Sequence, residues 1–111
     1  MRLTAPRATG WNEWASVRGY FEDRLAEQAG PVVTAPHIDS ERRRGRDDVT
    51  VITSMTVTAP DVAEALTAGW DAFRQAAGDD EAGWNMAGAT AEVRPESLRP
   101  GGVHRGRAVR V

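Results

Sequence analysis

The stretch 49–93 limits the fold most. It reads VTVITSMTVT, then APDVAEALTAGWDAFRQAAG, then WNMAGATAEV. In the first piece Val49, Val51, Met55 and Val57 alternate with Thr50, Ile52, Ser54, Thr56 and Thr58. That period of two predicts a strand with one buried face, Thr53 falling on the buried side. In the second piece Val62, Ala65, Leu66, Gly69, Phe73 and Ala76 recur at helical spacing and form one apolar stripe. Thr58-Ala59-Pro60-Asp61 reads as the helix start: a hydroxyl cap, a proline in the first turn and an acid near the positive end. Gly78 marks its stop, and Gly69 within it predicts a close approach by another part of the chain. The third piece reads as a strand over 84–93, with Ala87, Ala89, Ala91 and Val93 on one face and Trp84, Met86, Thr90 and Glu92 on the other.

The preceding residues supply a second helix, expected over 12–29, where Trp14, Val17, Phe21 and Leu25 make one stripe. Gly30-Pro31 ends it. A short strand follows over 32–38. Pro36 has no amide donor, so this strand belongs at a sheet edge or breaks there. Residues 39–48, DSERRRGRDD, read as a long hairpin loop. Residues 1–10 read as an N-terminal arm or short edge strand. Residues 11–96 form the folded domain and 97–111 a basic C-terminal tail, whose Val109 and Val111 could pair with a strand edge of a partner.

The element order is therefore (β)αββαβ. The expected class is α+β: two helices packed on one face of a small sheet of three or four strands, ferredoxin-like if residues 1–6 form a strand. With 111 residues the chain can bury one two-layer core. The other sheet face then lacks a cover. Ile52, Trp84 and Met86 are expected on it, and large apolar groups on a bare face mark a contact surface.

No catalytic set emerges. The two histidines, His37 and His104, lack ligand partners at zinc spacing, and His37 near Asp39 and Glu41 reads as a surface histidine. Asp79, Asp80 and Glu81 lack the spacing of a calcium loop. None of Ser16, Ser40, Ser54 and Ser97 sits in a nucleophile elbow. The absence of cysteine removes thiolate and disulfide chemistry. Neither metal, cofactor nor enzymatic activity is expected. No apolar run reaches the roughly 20 residues that cross a bilayer, and no apolar leader opens the chain, so a cytoplasmic location is expected.

All fourteen basic residues are arginine, and the formal net charge is −2, which argues against a wholly basic nucleic-acid binder. Arg42, Arg43, Arg44 and Arg46 cluster in the hairpin loop, and Arg105, Arg107 and Arg110 lie in the tail. Asp39, Glu41, Asp47 and Asp48 flank the hairpin cluster and neutralise much of its field. Trp14 and Trp70 are expected in the core, Trp11 and Trp84 at an interface, where aromatic residues concentrate binding energy. These arginines, with Trp11, Trp84, Met86 and Ile52, are the candidate interface residues. The reading is a non-enzymatic structural or assembly protein that forms homo-oligomers with other protein subunits. The alternative is a small nucleic-acid-binding regulator that uses Arg42, Arg43, Arg44, Arg46 and the tail arginines.

The segment DDVTVITSMTVTAPDVAEALTAGWDAFRQA resembles the strand–helix core of tailed-phage tail-terminator and neck proteins. The resemblance covers the element order over about residues 12–94 and rests on pattern. It implies a ring subunit, located in the virion, whose partners are tail-tube and connector proteins. Subunits would meet through strand edges, the arginine hairpin and the C-terminal tail.

Overall fold

The computed structural model describes residues 1–42, 47–78, 81–95 and 109–110. Its strands are β1 (Arg2–Pro6), β2 (Val33–Arg42), β3 (Val49–Val57), β4 (Thr90–Val93) and β5 (Val109–Arg110). Its helices are α1 (Trp11–Glu27) and α2 (Val62–Ala77). The sheet order is β2-β3-β1-β4-β5, and every neighbouring pair is antiparallel. The first four strands and both helices make a ferredoxin-like βαββαβ unit: β1 lies between β3 and β4, and β3 between β2 and β1.

The two patterned elements form where alternation and stripe place them. Val49, Val51, Thr53 and Met55 of β3 are buried, as are Ala65, Gly69, Ala72, Phe73, Ala76 and Ala77 of α2. The cap differs in identity. Asp61, not Thr58, starts α2, because its carboxylate accepts the Glu64 N–H at 2.8 Å while its own backbone is extended. At Gly69 the approaching group is the Met1 thioether, with which a Cβ would collide. Gly78 closes the helix with φ +57°, and a Cβ there would also lie 2.9 Å from an Arg24 guanidinium nitrogen. Gly78→Ala is therefore expected to cost about 1–3 kcal/mol in chemical denaturation.

Residues 1–10 are neither an arm nor an edge. β1 is an interior strand, with Leu3 opposite Thr53 on one side and Ala91 on the other. Leu3 and Ala5 are fully buried. β2 takes the edge, as its proline demands, and the break at Pro36 is a bulge between Thr34 and His37 with Ala35 at φ +50°. Beyond the bulge the strand resumes and absorbs residues 39–42, so the hairpin loop is shorter than its composition suggests. The tail strand β5 pairs with β4 of its own chain, Val93 with Val109 and Glu92 with Arg110, and Val111 lies outside the described residues.

The core holds a cluster of aromatic rings, edge-to-face except for the tilted Phe21–Trp84 pair. Trp14 and Phe21 of α1, Phe73 of α2 and Trp84 lie with centroids 4.9–5.7 Å apart. Thr53 introduces a defect: it is fully buried, and its hydroxyl has no hydrogen-bond partner. Thr53→Val keeps the shape and removes that polar atom, so it is expected to raise stability by about 1 kcal/mol in urea denaturation.

Candidate functional site

The helices leave one sheet face open among the described residues. By register that face carries His37, Asp39 and Glu41 from β2, Thr50, Ile52 and Ser54 from β3, Arg2 and Thr4 from β1, and Thr90 and Glu92 from β4. It is polar, not apolar. Ile52 does lie there, opposite Thr4 and Asp39, but only 9% of it is exposed. Trp84 does not lie there. Residues 81–83 and 86–88 form two 3-10 turns, so the strand predicted over 84–93 begins only at Thr90. Trp84 itself makes an isolated bridge to Arg7 and turns into the core, where 6% of it is exposed. Met86 sits in the second turn and is exposed. A strand would have carried Trp84 outward; the bonds from Asn85 N–H to the Pro6 carbonyl and from Ala8 N–H to the Gly83 carbonyl hold a different path.

Arg7, which carries no pattern signal, is the most deeply buried charged residue among the described ones. Its side chain is fully buried, with the guanidinium carbon 4.7 Å from the Trp84 ring centroid and 5.3 Å from that of Trp14. Its Nη2 donates to the Thr9 hydroxyl at 3.0 Å and stands 3.6 Å from the half-exposed Glu13 carboxylate. This is a cation held between two indoles, and it ties the end of β1 to α1 and the 84 turn.

The base of the hairpin is likewise tied to the domain. Arg42 lies over the Trp11 ring, 5.5 Å from its centroid, so Trp11 is half-buried under an arginine rather than free. Gly10 precedes α1 and supplies no side-chain cap. Asp47 fills the role from 36 residues away, its carboxylate accepting the Trp11 N–H at 3.1 Å. Gly10 is required for this, since a Cβ there would collide with the same carboxylate. Asp47→Ala is expected to cost about 1 kcal/mol in thermal or urea unfolding, the usual effect of a lost cap. Arg43, Arg44, Arg46, Arg105 and Arg107, and with them Asp79, Asp80 and His104, lie outside the described residues; Arg110 is described only as the backbone of β5.

His37 and Asp39 stand 4.0 Å apart on the open face, both exposed. Among the described residues no three side chains of the metal-ligating types converge, and no helix is long and apolar enough to cross a membrane. A cleft of about 440 Å³ opens where β3 and β4 end beside the start of α2, lined by Thr56, Thr58, Asp61, Val62, Val93 and Arg94 among others. Its carboxylate already caps α2, and Arg94 points 4.0 Å from Glu92. No protein-family model, curated protein or solved structure matches this chain.

Proposed function

We propose that this domain is a non-enzymatic assembly module that meets other protein chains through its sheet edge and open sheet face. The observation that carries the reading is the one-sided architecture. Both helices cover one face, and the other presents a sheet whose β2 edge has no neighbouring strand among the described residues. An exposed ladder of backbone donors and acceptors is the usual template for adding a strand. In its most specific form the module is a ring subunit of the tail-terminator kind, acting in the virion with tail-tube and connector proteins. The helix, hairpin, helix and strand sequence over 12–94 supports that form. Asp39 and Glu41, on the face next to the arginine hairpin, weigh against nucleic acid as the partner.

Sedimentation velocity on the purified protein tests this. The expected result is a defined species larger than the monomer; the ring form further requires closed annuli by negative-stain electron microscopy. A strict monomer across the accessible concentration range, with no ring and no captured tail component, removes the reading.

A further inference from the structure

Resting on that assembly reading, we propose that the β2 edge takes up an extended basic segment of a partner protein, whose cationic side chains at alternate positions seat against Asp39 and Glu41. The usable run of the edge is 37–42, because the bulge at Ala35 bends the strand before it and Pro36 lacks a donor. Side chains alternate along that run. Asp39 and Glu41 stand on the open face, whereas Ile38 is buried in the core and Arg42 lies over the Trp11 ring of α1. The edge therefore shows two carboxylates on one face, with the neighbouring arginine engaged elsewhere.

Within the sheet these carboxylates face no counter-charge across the strand pair. Asp39 stands opposite Ile52 and Glu41 opposite Thr50. Both acids are exposed, and Asp39 has His37 4.0 Å away on its own strand. The cross-strand position left to each is on the vacant side of β2, where no strand lies among the described residues. A strand added there sets a side chain opposite each carboxylate, and an opposite charge at such a position is stabilising while a like charge is destabilising. Residues two apart on a strand share a face, so the segment carries Lys or Arg at i and i+2, whichever way it runs. The residue between them falls on the helix side, next to the half-buried Ser40, and is small or apolar. Backbone bonds to the edge supply affinity in strand addition, and alternate side chains supply specificity. Charges on an edge normally block promiscuous pairing; acids at 39 and 41 turn away apolar and acidic strands and admit a basic one.

Fluorescence anisotropy with a labelled peptide of alternating lysine and valine, titrated with the full chain, tests this. Saturable binding is expected. The matching glutamate–valine peptide should not bind. Nor should the lysine–valine peptide with its backbone amides N-methylated, which keeps the charge and loses the ladder. Asp39→Asn combined with Glu41→Gln is expected to weaken binding about tenfold. Asp39→Lys combined with Glu41→Lys should reverse the preference towards the glutamate–valine peptide, an exchange that a misfolded chain could not produce. Equal binding of the N-methylated peptide, or indifference to both double variants, overturns the inference. A protein that is oligomeric by sedimentation yet takes up no basic peptide overturns the basic segment alone; a strict monomer that takes up none overturns the assembly reading with it.

Discussion

Replacing Trp14 with alanine is expected to cost roughly 3–5 kcal/mol. A domain of this length has a total stability of order 5–15 kcal/mol, so the variant should be largely unfolded or close to it at physiological temperature. Three losses add. The indole is fully buried, and its removal leaves a cavity that the neighbouring rings cannot fill. Its edge-to-face contacts with Phe21, at 5.7 Å, and Trp84, at 5.5 Å, are lost. The Arg7 guanidinium also loses one of the two rings that enclose it while remaining buried. Urea denaturation followed by circular dichroism measures the effect. Tyr20→Ala is the internal control: Tyr20 lies on the same helix but is 66% exposed, and a change within about 0.5 kcal/mol is expected. Equal losses at the two positions would mean that Trp14 does not occupy the centre of the core.

The elements that could be read from the residues are those whose pattern is local. β3 alternates because it buries one face, and α2 repeats because it buries one stripe; both patterns survive without knowledge of neighbours. Pro36 signalled an edge for the same reason, since a missing donor is a property of one residue. What could not be read depends on pairing across the chain. In β1 only Leu3 and Ala5 alternate, too short a pattern to separate a central strand from a terminal arm. Trp84 and Met86 have strand-like spacing, yet backbone bonds to Pro6 and Ala8, far away in sequence, hold the turns that send Trp84 inward. Asp47 caps a helix 36 residues away, and no local signal distinguishes it from a solvated loop acid. Arg7 had no partner within its own pattern; its aromatic neighbours come from α1 and from the 84 turn. One-sided helices make the open face legible in the residues, but its content is polar where Trp84 and Met86 predict apolar groups, because antiparallel sheets tolerate water on one side.

Leu3→Ala provides the sharpest separation between the two placements of the N-terminal segment. An arm or a terminal edge strand would lose little on truncation of one leucine, about 0.5 kcal/mol or less for an exposed site. An interior strand should lose roughly 2–5 kcal/mol, because the removed methyl groups leave a void bounded by close-packed neighbours. Leu3 meets the conditions of the second case. It has no solvent contact, sits between Thr53 on β3 and Ala91 on β4, and joins the same core cluster as Val51, Phe73 and Trp84. The small size of Ala91 is informative here, since a leucine beside an alanine fills space that neither strand could fill alone, and truncation of the leucine leaves alanine facing alanine. Arg2→Ala is the matched control: its side chain emerges on the open face one residue earlier, opposite Ser54 and Glu92, so it tests the strand without its core contact. A large loss at Leu3 with a small one at Arg2 requires the strand to be interior with alternate sides inward. Small losses at both would return residues 1–6 to the periphery and leave β3 and β4 without the strand that joins them, and with that the five-stranded sheet and the single β2 edge on which the assembly reading depends.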